Sequence, residues 1–109
     1  MQITTETTSV NGFTVINVKG KLDVTSSEGF TELSISETEK NPKIVLDFAG
    51  LEYISSAGLR AVLMIAKKAA AAGGSFAVAG AVGSVVDVFK ISGFDGIIRM
   101  CPTIQEITG

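Results

Sequence analysis

No histidine occurs in the 109-residue chain. That absence removes serine and cysteine nucleophiles activated by histidine, histidine general bases and histidine-ligated metals. Cysteine is nearly absent too. Cys101 stands alone, so an internal disulfide is excluded, and its place beside Pro102 at the end of an apolar stretch predicts a buried, inert thiol. There is no excess of basic charge: nine Lys and Arg stand against eleven Asp and Glu, for a net charge of −2. Without a basic cluster to follow a phosphate backbone, nucleic acid is not expected as a partner. No apolar run reaches the length of a membrane span, and polar residues follow Met1 where a secretory leader would carry a basic segment and an apolar one. Together these absences predict a cytoplasmic protein that does not insert into a membrane and carries no metal or cofactor.

What is present suits a packed core. Hydrophobic residues make up 46% and charged residues 18% of the chain, enough to bury one core and enough to argue against disorder. Residues 1–109 are expected to form one domain. Gln2 to Ser9 alternates weakly and predicts a strand with one solvated face. Asn11-Gly12 then signals a hairpin, since both residues accept positive φ. Phe13 to Lys19 is the returning strand.

Thr25 with Glu28 three residues on has the form of a capping box, opening a helix over Ser26 to Glu39 with Phe30, Leu33 and Ile35 on its apolar side. Asp23, just ahead, suits a turn aspartate bonding its own backbone. Asn41-Pro42 breaks the chain before a central strand, Lys43 to Phe48. A turn is expected at Ala49-Gly50, and a second helix follows, with Leu59, Val62, Leu63, Ala66 and Ala69 or Ala70 at helical spacing. It stops at Gly73-Gly74. Ser75 to Gly80 reads as a strand, Val82 to Ile91 as an amphipathic helix, Ile97 to Cys101 as a last strand, and Thr103 to Thr108 as a short helix. Strands separated by single helices imply parallel crossovers. The expected fold is a small α/β domain whose mixed, mostly parallel sheet carries an N-terminal antiparallel hairpin.

The chain is organised around Asp47-Phe-Ala-Gly-Leu-Glu-Tyr-Ile-Ser-Ser-Ala-Gly-Leu-Arg60. Ser55 and Ser56 lie immediately before the second helix, where a hydroxyl oxygen can accept from a free first-turn N–H. The same end is electropositive, so a phosphate carried there is tolerated. Ala57 and Gly58 leave the approach open. On the outward side, Ser56, Arg60, Met64 and Lys67 or Lys68 recur every three or four residues.

The run Tyr53-Ile-Ser-Ser-Ala-Gly-Leu-Arg60 resembles the signature of the STAS-domain anti-sigma-factor antagonists. Gly20-Lys-Leu-Asp23 and Ile91-Ser-Gly-Phe-Asp95 are similar to two further elements of that family, and the order of elements agrees along nearly the whole chain. The resemblance implies that Ser56 is phosphorylated by a partner kinase, with Ser55 the alternative acceptor, and that Asp23 lies close to the phosphoacceptor loop. Ser55 departs from the family pattern, standing where most members have aspartate. The implied partners are an anti-sigma-factor serine kinase of the histidine-kinase-like ATPase superfamily and a PP2C-type phosphatase. Asp23, Ser55, Ala57, Gly58, Arg60 and Met64 are the expected partner-binding residues. Two other roles use the same fold: a docking subunit of a lipid-transport ATPase complex, and a scaffold that is never phosphorylated.

No catalytic set assembles from the remaining residues. Five of the seven glutamates lie in or before the first predicted helix, and Asp47 ends a strand without partners. The glycines before Ser75 end a helix and precede a strand, the reverse of a phosphate-binding loop. A regulated binding module, not an enzyme, is the expectation.

Overall fold

The computed structural model describes residues 3–108. Strand β1 (Ile3–Val10) turns through Asn11 and Gly12, at φ of 50° and 86°, into β2 (Phe13–Leu22). Two consecutive positive φ angles define the turn that matches the twist of paired strands. Gln2, placed in the first strand by the sequence, lies outside the described residues. Helix α1 (Val24–Lys40), strand β3 (Lys43–Ile54), helix α2 (Ser56–Ala71), strand β4 (Ser75–Ala79) and helix α3 (Ser84–Ile91) follow. A single 3₁₀ turn (Phe94–Gly96), β5 (Arg99–Cys101) and α4 (Gln105–Thr108) complete the described chain.

The five strands form one sheet in the order β1-β2-β3-β4-β5. β1 and β2 are antiparallel, and every other pair is parallel. This is the expected mixed α/β architecture. The main core gathers Ile16, Leu46, Phe48 and Val78 from the sheet with Phe30, Val62, Ile65 and Phe89 from the helices. A smaller cluster of Val15, Val45 and Ala79 lies apart from it, packed by Ile104 and Ile107 from the C-terminal segment.

Two helix faces differ from the expected ones. α1 buries Phe30, Ser34 and Thr38, four residues apart, while Leu33 and Ile35 are only half-buried. Small side chains at positions 34 and 38 allow α1 to lie close against α2, so close packing and not apolar content selects the face. The Thr38 hydroxyl donates to the Ser34 carbonyl at 2.7 Å. On α2 the buried stripe runs Leu59, Val62, Ile65 and Ala69, turned slightly from the expected one: Leu63 and Ala66 stay half-buried. Cys101 is also half-buried, not buried, because the short β5 forms an edge of the sheet.

Candidate functional site

The two serines are delivered by an extension of the sheet. No turn interrupts β3 at Ala49-Gly50; the strand continues to Ile54. Its pairing with β4 stops at Asp47 opposite Ala79, but its pairing with β2 runs on to Ile54 opposite Leu22. Between Asn17 and Lys19 and again between Gly20 and Lys21 the register shifts by one residue, the extra residue lying on β3 each time, as at a bulge where a strand bends. At the start of the extension the Asp47 carboxylate accepts from the Ala49 N–H at 3.0 Å. Asp47 is thus bound to its own strand.

At the tip, the Ser55 N–H donates to the Leu22 carbonyl at 2.9 Å. Ser55 is the N-cap of α2: its hydroxyl accepts from the Gly58 N–H at 3.2 Å, and its carbonyl accepts from Leu59. Ser56 is the first helical residue and is exposed, and among the described residues its hydroxyl makes no hydrogen bond. The two adjacent serines therefore do different things. Ser55 closes the helix end, and Ser56 presents a free hydroxyl over it.

Gly58 sets how closely this end approaches the β2–α1 corner. A Cβ there would stand 2.8 Å from the Leu22 carbonyl oxygen and 2.8 Å from Cγ1 of Ile54. Asp23, next to Leu22, is held in turn. It is the N-cap of α1, accepting from the Thr25 N–H at 2.9 Å, the Thr25 hydroxyl at 2.7 Å and the Ser26 N–H at 3.2 Å. The Ser26 hydroxyl accepts from the Asp23 N–H at 2.9 Å, closing the capping box, and donates to the Lys21 carbonyl. The box is thus Asp23 with Ser26, not Thr25 with Glu28, because β2 runs straight to Leu22 and leaves Asp23 facing the free amides.

The Thr25 hydroxyl, followed by the backbone amides, holds the Asp23 carboxyl below the ordinary carboxylate range. A depressed folded-state pKa contributes stability above the unfolded value that is lost as pH falls through the folded one. Melting temperatures of wild type and Asp23→Asn, measured from pH 7 down to pH 3, are therefore expected to converge on acidification. A gap that stays constant with pH removes this role of Asp23.

Arg60 and Met64 are exposed on α2, one and two turns beyond Ser56, and Ala57 is half-buried. Lys68 is 3.8 Å from Glu39, while Lys67 is exposed. Near the same corner Val24 is 73% and Tyr53 47% exposed. Sequence periodicity gives no signal for these two, since Val24 begins a helix and Tyr53 follows the turn expected at Ala49-Gly50. Tyr53 is opposite Lys21 in the β2–β3 pairing, so the arm carries it to the site. Exposed apolar side chains beside an exposed hydroxyl form a surface that suits a protein partner.

A mixed sheet of this order, with a cap serine and a presented serine at the tip of its central strand, defines a class. The STAS domain family model matches residues 4–107, and the chain belongs to that family. It is similar to BtrV of Bordetella bronchiseptica, named as a candidate anti-sigma factor antagonist, at 34% identity over 86 residues, covering 78% of this chain and 74% of BtrV. Among solved structures it resembles an anti-sigma-factor antagonist (STAS) domain protein from Planctomyces limnophilus, with a TM-score of 0.86 and 20% identity over 95% of this chain and 94% of that one. It also resembles the Bacillus cell fate determinant SpoIIAA in its phosphorylated form, with a TM-score of 0.69 and 24% identity over 96% and 95% of the two chains. At these identities the structural likeness establishes the fold.

Proposed function

We propose that this chain is an anti-sigma-factor antagonist that acts as a cytoplasmic partner switch. In its unmodified form it binds an anti-sigma factor, itself a serine kinase of the histidine-kinase-like ATPase superfamily, and so frees a sigma factor. Phosphorylation of Ser56 ends the binding, and a PP2C-type phosphatase restores it. The partner surface comprises Asp23, Ser55, Ala57, Gly58, Arg60 and Met64, with Val24 and Tyr53 beside them.

The observation that carries this reading is the division between the serines. The Ser55 hydroxyl is engaged with Gly58 at 3.2 Å and half-buried, whereas Ser56 is exposed at the first position of the helix. A phosphate on Ser56 adds about −1.5 to −2 charges beside the positive end of a sixteen-residue helix. Arg60, one turn on along the same face, adds a cation. The domain tolerates the modification, and its cost falls on the interface.

Intact-mass measurement after incubation with the kinase and ATP tests the assignment. Wild type and Ser55→Ala are expected to gain one phosphate, about 80 Da, and Ser56→Ala none. Phosphate retained by Ser56→Ala, or lost only in Ser55→Ala, overturns the choice of acceptor.

A further inference from the structure

β1 is an edge of the sheet, and its outer side is unpaired among the described residues. Proteins protect such edges with charged side chains, lysine above all, and with proline, bulges or very short strands. The opposite edge, β5, is only three residues long. Of these devices β1 has a single charge. It runs eight residues, Ile-Thr-Thr-Glu-Thr-Thr-Ser-Val, and pairs with β2 without a register shift from Ile3 to Val10. Glu6 is its one charged residue.

We propose that this edge pairs antiparallel with the β1 strand of a second copy, joining two sheets into one of ten strands about a two-fold axis at Thr7. The register follows from the hairpin. Across a two-residue turn, Val10 and Phe13 exchange hydrogen bonds. Thr4, Glu6, Thr8 and Val10 therefore aim their backbone groups at β2, and Thr5, Thr7 and Ser9 aim theirs outward. An axis normal to the sheet keeps the helices of both copies on one side and pairs odd residues with odd.

Three such registers keep the centre of the strand paired. Centred on Glu6, the pairing sets two carboxylates directly opposite, which is destabilising. Centred on Thr8, it shortens the overlap. Centred on Thr7, it joins Thr5 to Ser9 and Thr7 to Thr7 by hydrogen bonds, with Glu6 opposite Thr8 and Thr4 opposite Val10. That register avoids the like-charge pair and uses seven residues of each edge. It is the sequence's own complementarity to itself that selects a second copy as the occupant.

The helix side of the edge agrees. A groove of about 490 Å³ runs between β1 and α1, lined by Ile3, Thr5, Phe30 and Leu33 among others. Ile3 and Phe30 are already buried in one copy, so a second copy bringing its own strand and α1 across the axis covers chiefly the half-buried Thr5 and Leu33. Ser55 and Ser56 lie at the far end of the β2–β3 arm, so pairing through β1 does not depend on the function proposed above.

Sedimentation of the full chain across a dilution series tests the pairing. Apparent mass is expected to rise with concentration to double the 11.3 kDa of one chain. Thr7→Lys, which sets two cations on the axis while leaving the bonds to β2 intact, is expected to remain monomeric with a melting temperature close to that of wild type. A short bismaleimide crosslinker reads the register in a Cys101→Ser background. Thr7→Cys is expected to crosslink to its own copy, since hydrogen-bonded opposite residues lie about 5.5 Å apart. Ser9→Cys is not, because its own copy lies four strand residues away, about 13 Å. A wild-type chain that stays monomeric, a Thr7→Lys dimer, or equal crosslinking of the two cysteine variants overturns the proposal. So does an edge that pairs only with an added peptide of another sequence.

Discussion

Ser56→Asp is expected to fold as wild type does and to lose binding to the anti-sigma kinase proposed above by about a hundredfold or more. The two halves of this expectation come from the same atom position seen from two sides. From the domain's side, an anion at the first residue of α2 meets unpaired first-turn N–H groups and the positive end of the helix, an interaction worth about 0.3–1 kcal/mol in favour of folding. From the partner's side, the exposed Ser56 hydroxyl is a small neutral group, and a carboxylate pressed into the contact must shed its water against a partner surface that offers it no matched cation. Burying an unpaired charge costs about 3–5 kcal/mol, which is the source of the hundredfold loss at about 1.4 kcal/mol per tenfold. Ser56→Ala is the control: it removes one hydroxyl that makes no hydrogen bond within the described residues, so binding should stay within a few-fold of wild type. Ser55→Ala behaves differently again. It deletes the cap on Gly58 and should lower stability by about 1 kcal/mol with little effect on affinity per folded molecule. Calorimetric titration with the kinase, alongside melting curves, separates the three. An aspartate variant that binds as tightly as wild type removes Ser56 from the interface.

The contrast between the serines also shows where local sequence stops being informative. Ser55-Ser56 ahead of an alanine-rich run marks a helix start, but either serine satisfies the capping pattern. The choice falls to Ser55 because its N–H is tied to the Leu22 carbonyl, a contact between residues 33 positions apart. The same long-range pairing explains the missing turn. Ala49-Gly50 is a legitimate turn signal in isolation, yet β2 continues alongside, and β3 takes up the extra residues as two register shifts while its pairing with β2 runs on to Ile54. At α1 the competing signals were both local. Thr25 and Glu28 have capping-box spacing, but Asp23 and Ser26 have the correct position relative to the end of β2. The hairpin was fully legible, since Asn11 and Gly12 need no tertiary help to adopt positive φ. Ser34 and Thr38 were invisible as core residues, because only the nearness of α2 makes a small polar side chain the right filling. For the site, the outward stripe of Ser56, Arg60 and Met64 is legible in the spacing, but the choice of Ser56 over Ser55 comes from the family resemblance, and Val24 and Tyr53 depend on the arm.

Gly74→Ala is expected to be far more damaging than Gly73→Ala, although the two glycines are adjacent and both follow α2. Gly73 has φ of +75° and nothing within 4 Å of where a Cβ would sit. Alanine there meets only the left-handed backbone penalty, about 1 kcal/mol. Gly74 has no such conformational demand, and its restriction is contact. A Cβ would lie 2.1 Å from the Pro42 carbonyl oxygen and 2.5 Å from the Pro42 carbonyl carbon. That oxygen accepts from the Ser75 N–H at 3.1 Å, and Ser75 opposite Lys43 opens the β3–β4 pairing. The clashing atoms are backbone and cannot rotate aside as a side chain would. Relief requires the strands to part at their first pair or the Gly74 N–H to give up its 2.9 Å bond to the Ala69 carbonyl. Either route disturbs β3, the strand whose far end carries Ser55 and Ser56. Overpacking of this kind costs about 3 kcal/mol or more, so at about 5 °C per kcal/mol for a domain of this length Gly74→Ala should lower the melting temperature by roughly 15 °C. Gly73→Ala should lower it by roughly 5 °C. Thermal unfolding of the two variants side by side decides the matter. Equal shifts would mean that the junction at Pro42 yields easily and that close approach is not what glycine supplies at position 74.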